Sequence, residues 1–404
     1  MKVFSVCDVF HPSAESTSQL FTELFNRLAA GGLLIGVVTN RLPGCPELLK
    51  TAVPLDPRIR VWRVGLPIRG RGSVVLRAVR YAAFLVTASA RLMIGEADRL
   101  WGGTNPPFTP AWIALIAMIR RKPFDVIVHD VYPDGLVAVG YLRPHSLVVR
   151  AWSALNRWAY RRANKVVVLG RDMANLMRER YGVSERQLVV FPNWSPFDQA
   201  TPVSLADSSL ARQLGYGQRF VVQYSGNMGL WHDIDAFVKA ADILRNDDRI
   251  RFLMIGEGRR LEPARQLAER LGITTMIWRG FQNRDALTDS LACSSVSLIS
   301  QRDGLDGVAV PCKLYGILAS GRAVLAAVPP ACEVARVIEE ERCGVVVPPS
   351  DPEAIAAAIK RMADDADATA AMGQQSFEAY RKTYSLDAAV DRFWKVWMPA
   401  HEHV

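Results

Sequence analysis

Residues 307–326 (GVAVPCKLYGILASGRAVLA) place a lysine near the start of a predicted short helix. Pro311 suits the first helical turn, where the missing N–H of proline costs nothing. The free amide groups of such a turn carry about half a unit of positive charge. The backbone amides around Val310–Lys313, in the segment that holds Val310, Pro311 and Cys312, and the ammonium of Lys313 would therefore bind an anion together, and a diphosphate fits. An exposed lysine lying over an apolar helix is the alternative.

Two predicted strand-to-helix turns in the same half of the chain contain glycines. In QYSGNMGLWHD (223–233), Gly226 and Gly229 flank Asn227, and MIGEGRR (254–260) has a similar arrangement. Glycine lets a backbone approach a ligand closely. We therefore expect Gly226, Asn227 and Gly229 to contact the phosphates, with a purely structural turn as the alternative.

A carboxylate follows in PPACEVARVIEE (329–340), where Glu333 stands at a predicted loop-to-helix start. It could accept hydrogen bonds from sugar hydroxyls, or it could only complement the helix dipole. The sequence leaves both roles open.

The first half of the chain has a candidate site of its own in FDVIVHDVYPDG (124–135). This stretch is a predicted strand followed by His129, Asp130 and Asp134. A His–Asp pair at a strand end could position or polarise a nucleophilic hydroxyl. An aspartate that caps the next helix is the alternative, which suits Asp134 better than Asp130.

Polar residues also follow another predicted strand in WGGTNPPF (101–108), where Thr104 and Asn105 are placed to hydrogen-bond a polar ligand. The loop DVFHPSAESTSQL (8–20) enters the first helix and could line the same site. Its Ser and Thr residues are equally ordinary N-caps.

The sequence lacks the motifs of several other chemistries. It has no G-x-x-x-x-G-K-[ST] phosphate loop, no G-x-S-x-G elbow, and no H-E-x-x-H or cysteine metal motif. A G-x-G-x-x-G nicotinamide fingerprint after the first strand is also absent. The motifs therefore predict an enzyme with a diphosphate site, no cofactor and no metal.

Strands and helices must alternate along the chain to position these loops. Predicted strands are KVFSVCDVF, LLIGVVT, RVWRV, DRLWGG, FDVIVHD, KVVVLG and LVVFPN in the first half, and RFVVQYSG, RIRFLMIGEG, MIWRGF, SSVSLIS, AVLAAV and GVVVPP in the second. The first predicted helix has one apolar face and ends at Gly31 and Gly32. This alternation predicts an α/β fold with parallel sheets, whose ligand-binding loops follow the strands.

A length of 404 residues predicts two domains. We expect Rossmann-like domains over 1–197 and 219–384 that face each other across a cleft, with a Pro-, Ser- and Asp-rich linker over 198–218. The tail, 385–404, predicts an amphipathic helix that docks back on the first domain through Phe393, Trp394 and Trp397.

The composition predicts a cytoplasmic protein. Half of the residues are apolar and 22% are charged, as in well-packed globular proteins. The six cysteines form no C-x-x-C pair, which favours a reduced compartment. The first residues resemble a strand rather than a secretion signal, and no apolar run reaches about 18 residues.

The net charge is +9, and eight arginines with no acidic residue lie between Arg58 and Arg91. Such a segment attracts anionic lipid, nucleic acid or a pyrophosphate-linked substrate. Ordinary solvated helix and loop faces are the alternative. Nucleic acid is disfavoured, because stacking aromatic residues are few and no reader motif appears.

The ordered set of motifs resembles the retaining family 4 glycosyltransferases, which have the two-domain GT-B fold. HDVYPDG resembles the family's HDLWPE stretch, and RRANKVVVLGRDMANLMRERYGV followed by VVFPNW resembles the end of its first domain. YSGNMG, MIGEG, VPCKLYGILASGRAVLA and CGVVVPPSDPEAIAAAI follow in the family's order and spacing. The chain most resembles the branch that builds bacterial surface polysaccharides and lipid-linked glycans.

The resemblance implies a hexosyltransferase (EC 2.4) that moves a sugar from a nucleotide diphosphate sugar to an acceptor hydroxyl with retention. The first domain would bind a glycan or lipid-linked acceptor, with Thr104, Asn105 and Asp134 in contact with the acceptor or the sugar, and the second would bind the nucleotide sugar. His129, Asp130 and Lys313 would be catalytic, and the segment from Arg58 to Arg91 would face an anionic membrane at the inner side of the plasma membrane. A sugar-nucleotide epimerase of the same fold and an inactive nucleotide-sugar-binding subunit are the alternatives.

The chain departs from the family pattern at the donor site. The family's Glu-x7-Glu pair falls on Val308 and Gly316, and its usual Arg and Lys fall on Asn227 and His232. The double glycine of the first-domain loop is replaced within SAEST. The donor base and sugar, the acceptor, the linkage and the oligomeric state therefore do not follow from the resemblance.

Overall fold

The computed structural model describes residues 1–13, 15–41, 53–66, 74–195, 201–282 and 284–398. The chain divides into two units. Unit 1 comprises Met1–Pro196, Gly307–Ala309 and Ala389–Val404, and unit 2 comprises Phe197–Asp306 and Val310–Ala388.

Unit 1 is built on a seven-stranded parallel sheet with the strand order β3-β2-β1-β4-β5-β6-β7. The strands are β1 (Lys2–Cys7), β2 (Leu34–Asn40), β3 (Ile59–Val64), β4 (Arg99–Gly103), β5 (Phe124–Val128), β6 (Lys165–Val168) and β7 (Leu188–Val190). The central strands are rich in buried valine, leucine and isoleucine, as expected for a parallel sheet covered on both faces.

Helices follow the strands of unit 1. They are α1 (Ser16–Ala30), α2 (Val74–Ile94), α3 (Thr109–Arg120), α4 (Asp134–Ala138), α5 (Leu147–Tyr160) and α6 (Arg171–Tyr181). The predicted end of α1 is confirmed: Gly31 donates its amide N–H to Arg27, and Gly32 follows with φ 97°. Glycine adopts this left-handed conformation at no steric cost.

The last helix of the chain packs its aromatic residues into unit 1. The Nε1–H of Trp397 donates to the buried carboxylate of Asp125 at 2.7 Å, and Trp101 donates to the same carboxylate at 3.1 Å. The ring of Trp394 packs directly on Gly31. A Cβ at position 31 would lie 2.7 Å from a ring carbon of Trp394, so a larger residue would collide with the ring. The buried acid and the missing Cβ thus fix the position of this helix.

Unit 2 is built on a six-stranded parallel sheet with the order β10-β9-β8-β11-β12-β13. Its strands are β8 (Phe220–Ser225), β9 (Ile250–Ile255), β10 (Met276–Arg279), β11 (Val296–Ser300), β12 (Ala323–Ala327) and β13 (Gly344–Val347). The later helices are α7 (Ser209–Leu214), α8 (Ile234–Ile243), α9 (Leu261–Arg270), α10 (Arg284–Ala292), α11 (Lys313–Ala319), α12 (Glu333–Glu341), α13 (Pro352–Asp364), α14 (Ala366–Ala379) and α15 (Leu386–Trp397), with a π-helical turn over Tyr380–Tyr384.

The predicted fold class is confirmed, since two α/β units with parallel sheets are present and each predicted strand overlaps an observed one. The stretch predicted as a linker (198–218) differs, because it contains α7. Ser208 caps this helix by accepting the amide of Ala211, and Asp289 accepts the amide of Ser209 at 2.7 Å. Ala211 and Tyr216 are buried in the core of unit 2, so this part of the segment belongs to that unit.

None of the helices in the described part of the chain combines the length and hydropathy of a segment that crosses a bilayer.

Candidate functional site

Lys313 lies at the first position of α11, half-buried against Tyr224 of β8. Its Nζ donates a hydrogen bond to the phenol oxygen of Tyr224 and lies 3.9 Å from the centroid of that ring. Burial lowers the pKa of Lys313 to about 7. Within the described ranges, no carboxylate lies within ion-pair distance of this ammonium. An anion would therefore stabilise the charged form, because a partly desolvated charge lacks a counter-charge.

Tyr224 connects the lysine to the glycine loop that follows β8. Its side chain is fully buried, and its hydroxyl donates to the carbonyl oxygen of Asn227 at 2.8 Å while it accepts from Lys313. Burial also raises the pKa of Tyr224, so the phenol keeps its proton. Tyr224 was not predicted from the sequence. Its one indication was a phenol next to the last residue of a predicted strand, close to the loop.

His232 completes this cluster but does not add a charge to it. Its Nδ1 lies 2.6 Å from the carbonyl oxygen of Ser300, which therefore accepts the ring N–H. Burial and the charge of Lys313 lower the pKa of His232 to about 3. The neutral ring stands where the resemblance would place a cation, which leaves Lys313 as the positive group of the cluster.

The two glycine loops of unit 2 pack directly on each other. Gly256 has φ 135°, and a Cβ there would lie 2.0 Å from the carbonyl oxygen of Gly226. The amide of Gly226 donates to Ile255 at 2.9 Å, so it belongs to the sheet and is not free for a phosphate. A Cβ on Gly226 would lie 3.5 Å from Cε of Lys313. The bare Cα of Gly226 thus borders the lysine, and close approach is the contribution that this residue can make.

Two further predicted residues lie in the same loop. Asn227 is exposed, with its side chain free to face solvent, and Gly229 lies beside it. A Cβ on Gly229 would lie 3.1 Å from Nδ2 of Asn227. The loop therefore presents an amide group next to a position where a larger side chain would crowd it.

The start of α11 differs from the prediction, because Pro311 precedes the helix instead of lying in its first turn. Cys312 occupies the N-cap position and is exposed, while Val310 is buried. The carbonyls of Pro311 and Cys312 accept the amides of Leu314 and Tyr315, both at 3.3 Å. These tight-turn hydrogen bonds use the amides of the first helical turn and not those of the residues before it. Contact of the backbone amides around Val310–Lys313 with a diphosphate therefore stays a prediction, and the side-chain charge at this point of unit 2 is that of Lys313.

Glu333 is the first residue of α12 and is 4% exposed. The N-cap residue before it, Cys332, accepts the amide of Ala335 through its sulfur at 3.4 Å. A carboxylate in the first turn complements the helix dipole, so this alternative has support. Contact of Glu333 with a donor sugar stays a prediction.

In unit 1, Thr104 positions the end of β5. Its hydroxyl oxygen accepts the amide N–H of His129 at 3.2 Å and that of Asp130 at 3.3 Å, and the residue is 3% exposed. These hydrogen bonds give Thr104 a structural role, and its contact with a polar ligand stays a prediction. Asn105 is exposed, and its carbonyl accepts the amide of Asp8 at 3.3 Å.

His129 and Asp130 form no hydrogen bond with each other. Their side chains leave an extended backbone on opposite sides. The His129 ring packs edge-on against Phe21 at 5.4 Å, burial lowers its pKa to about 4, and its buried Nε2 has no partner in the described part of the chain. Burial raises the pKa of Asp130 to about 6, and its backbone pairs with Ala309. Two separate groups that titrate below neutrality therefore replace the predicted His–Asp pair.

Asp134 makes structural contacts at the start of α4. Its carboxylate accepts the hydroxyl of Tyr181 at 2.5 Å and pairs with Arg180 at 2.9 Å. These partners favour a structural role over the predicted contact with an acceptor or sugar.

Three arginines of the segment that was predicted to face an anionic membrane make contacts within unit 1 instead. Arg63 donates to the carbonyl oxygen of His11, Arg80 pairs with Asp8 at 3.2 Å, and the guanidinium of Arg91 lies 3.9 Å from the centroid of a Trp62 ring. Residues 67–73 lie outside the described residues, as does the side chain of Arg77. The prediction is therefore wrong for Arg63, Arg80 and Arg91, which support the fold of unit 1.

Comparison with protein families gives two matches that together cover most of the chain. The model "Glycosyl transferase 4-like domain" matches residues 18–194, and "Glycosyl transferases group 1" matches residues 219–365. WbjE of Pseudomonas aeruginosa, assigned as a glycosyltransferase, is 28% identical over 284 residues, which are 70% of each chain. WcaI of Escherichia coli (strain K12), a glycosyl transferase assigned to colanic acid biosynthesis, is 26% identical over 74% of this chain and 75% of its own.

Solved structures share the fold over nearly the whole length. Sucrose-phosphate synthase from Thermosynechococcus elongatus has a TM-score of 0.76 at 16% identity, covering 99% of this chain and 98% of its own. Anabaena Alr3699/HepE in complex with UDP and glucose has a TM-score of 0.73 at 17% identity, covering 98% and 99%. WaaG, a glycosyltransferase involved in lipopolysaccharide biosynthesis, has a TM-score of 0.72 at 16% identity, covering 98% and 100%.

Proposed function

The chain belongs to the group 1 (family 4) glycosyltransferases of class EC 2.4, which use nucleotide sugars, and has their GT-B fold. From this premise we propose that it transfers a sugar from a nucleotide diphosphate sugar to an acceptor hydroxyl with retention, in the synthesis of a surface polysaccharide or a lipid-linked glycan. The assignment of WcaI to colanic acid biosynthesis and of WaaG to lipopolysaccharide biosynthesis supports this acceptor class.

One observation carries the donor half of the proposal: the ammonium of Lys313 is partly buried and has a phenol, not a carboxylate, as its partner. During transfer the bond between the anomeric carbon and a phosphate oxygen breaks, and negative charge collects on the departing diphosphate. A fixed cation at that position stabilises the charge as it develops, and such electrostatic stabilisation is often the largest single catalytic effect.

Other residues of unit 2 have supporting roles in the proposal. The bare Cα of Gly226 lets the diphosphate approach Lys313, and the exposed amide of Asn227 donates a hydrogen bond to it. Gly229 keeps that amide uncrowded. The tripeptide from Val310 to Cys312 sets the start of α11, and Glu333 contacts the donor sugar or ribose.

Unit 1 supplies the acceptor half of the proposal. Asp130 is ionised at neutral pH, because its raised pKa of about 6 still lies below 7. Its carboxylate accepts a hydrogen bond from the reacting hydroxyl and so orients the oxygen for attack. The neutral ring of His129 makes one further hydrogen bond to the acceptor through Nε2. Thr104 holds His129 and Asp130 in place by accepting their backbone amides.

A thermal-shift panel with UDP, GDP, ADP and dTDP tests the donor site. A nucleotide at 100 times its Kd stabilises a protein by about 2.7 kcal/mol. We expect one of the four to do so, and we expect Lys313→Ala to lose most of that shift. Lys360→Ala is the matched control, because Lys360 is an exposed lysine of the same unit that pairs with Asp364. The donor site is refuted if no nucleotide stabilises the wild type, or if both variants keep the full shift.

Incubation of the enzyme with a nucleotide sugar alone separates transfer from epimerisation. An epimerase converts the nucleotide sugar without an acceptor, whereas the proposed enzyme leaves the configuration of the sugar unchanged. A new nucleotide sugar epimer in the acceptor-free reaction would contradict the proposal.

A further inference from the structure

Helix α2 of unit 1 carries a line of exposed apolar side chains. Val75, Val79, Val86 and Met93 are 73%, 48%, 61% and 41% exposed. At 3.6 residues per turn these positions fall within about 40° of one another, so they form one stripe. With a rise of 1.5 Å per residue, the stripe is about 27 Å long.

The neighbouring helices extend this apolar surface. Helix α3 contacts both α2 and α5. The exposed apolar residues of these two helices are Leu115, Met118 and Ile119 on α3 and Leu147, Val148 and Leu155 on α5. We call the exposed apolar residues of the three helices the α2–α3–α5 face. Large exposed apolar surfaces are uncommon on proteins that have no partner there.

The charges of the three helices all have one sign. Their sequences contain six arginines and no Asp or Glu. Arg80 and Arg91 make internal contacts, but Arg150 and Arg157 of α5 are exposed. Exposed Arg121 directly follows α3, and the exposed pair at 161–162 directly follows α5. Glu96 and Asp98, which follow α2, are exposed and contact Lys2. The charged residues within the three helices themselves are all basic.

Exposed apolar residues together with basic side chains indicate what kind of partner binds the α2–α3–α5 face. A second copy of the chain that used the same face would bring like charges together, which costs free energy. An anionic lipid surface accepts apolar side chains below its headgroups and attracts arginine to its phosphates. We propose that the α2–α3–α5 face docks unit 1 on an anionic lipid surface. This inference does not depend on the donor site and can fail without affecting it.

Co-sedimentation of the full chain with vesicles tests the docking surface. Vesicles of phosphatidylcholine with phosphatidylglycerol should retain the protein, and vesicles of phosphatidylcholine alone should retain at least tenfold less. The double variant Val86→Glu/Ile119→Glu should bind the anionic vesicles more than tenfold more weakly. Both residues are about 60% exposed, so their replacement should leave the thermal unfolding temperature unchanged.

A matched control separates docking from a general effect of added charge. Ile243→Glu/Phe281→Glu adds the same two charges at residues of unit 2 that are 51% and 61% exposed. This variant should bind anionic vesicles like the wild type. Arg150→Ala alone should weaken binding about fivefold, and added salt should weaken it further.

Several results would overturn the inference. They are an absence of vesicle binding by the wild type, equal binding to neutral and anionic vesicles, and equal losses in the two double variants. A wild-type dimer in light scattering that Val86→Glu/Ile119→Glu converts to a monomer would show that a second copy covers the face instead. Nucleotide binding by the same variant, measured in parallel, reports on the donor site separately.

Discussion

The ammonium of Lys313 should make donor binding depend on pH. The pKa of this lysine is lowered from 10.5 to about 7, because burial disfavours the charged form. Its hydrogen-bond partner is the uncharged phenol of Tyr224. A bound diphosphate supplies the missing counter-charge and should return the pKa to its ordinary range or above. Binding above neutral pH therefore requires the uptake of a proton.

The size of the effect follows from the two pKa values. With a pKa near 7, the free protein is about nine-tenths protonated at this site at about pH 6 and about 3% protonated at about pH 8.5. The affinity for a diphosphate should fall by the same ratio, about 30-fold, which corresponds to about 2 kcal/mol. The number of protons taken up on binding should rise from about 0.1 to nearly 1 over that range.

Isothermal titration calorimetry measures both quantities. The ligand should be the nucleotide sugar that carries the base selected in the thermal-shift panel, because its phosphates are diesters without a proton to lose near neutral pH. Titrations in two buffers with different ionisation enthalpies give the proton count. Lys313→Arg is the control, since arginine stays charged and should bind with no pH dependence in this range. A wild-type affinity that stays constant between the two pH values, with no proton uptake, would refute the role given to Lys313.

Three further predictions concern single residues. Asp130→Asn should lower kcat/KM at least tenfold but raise the free energy of unfolding. The folded-state pKa of Asp130 is about 6 and exceeds the unfolded value of 3.8, so the wild type loses stability as the pH rises between these values, and the variant does not. Urea unfolding should show a gain of about 1–3 kcal/mol for the variant at pH 8 and none at pH 3. Asp134→Ala should lower the free energy of unfolding by about 2–4 kcal/mol, because the Tyr181 hydroxyl and Arg180 lose their buried partner. The kcat/KM per folded molecule should stay unchanged. A loss of activity without a loss of stability would instead support contact of Asp134 with the acceptor. Gly256→Ala should lower the free energy of unfolding by more than about 2 kcal/mol and weaken nucleotide binding, because its Cβ would meet the carbonyl of Gly226. The control Gly272→Ala, at φ 66° with open space around it, should lower that free energy by about 1–2 kcal/mol and leave binding unchanged. Equal losses in urea unfolding would show that backbone strain alone causes the effect.

The strands were predictable because each depends on a short local run of β-branched and other apolar residues. The order of the strands in each sheet was not, since it depends on pairing between residues far apart in sequence. The helix α7 was missed for another reason: Pro, Ser and Asp on either side of it are typical of a loop, and its capping partner Asp289 lies 80 residues beyond Ser209.

The candidate site was predictable in its residue types but less so in its contacts. Lys313 and the glycine loops stand out locally, and the structure brings Gly226 next to the lysine. Tyr224 was missed, because its role depends on a lysine that lies 89 residues away in sequence. Asp134 was assigned to the acceptor, because its partners Tyr181 and Arg180 are far along the chain. Distant pairings of this kind leave no pattern in a single sequence.

The position of a bound diphosphate relative to Lys313 tests the central claim most directly. A crystal structure of the chain with the nucleotide diphosphate that binds best would measure it. We expect Nζ of Lys313 to lie about 2.7–3.0 Å from an oxygen of the terminal phosphate, within charge-assisted hydrogen-bond distance. A structure in which the phosphates bind elsewhere, while the ammonium keeps only the Tyr224 hydroxyl as its partner, would contradict the proposed donor site.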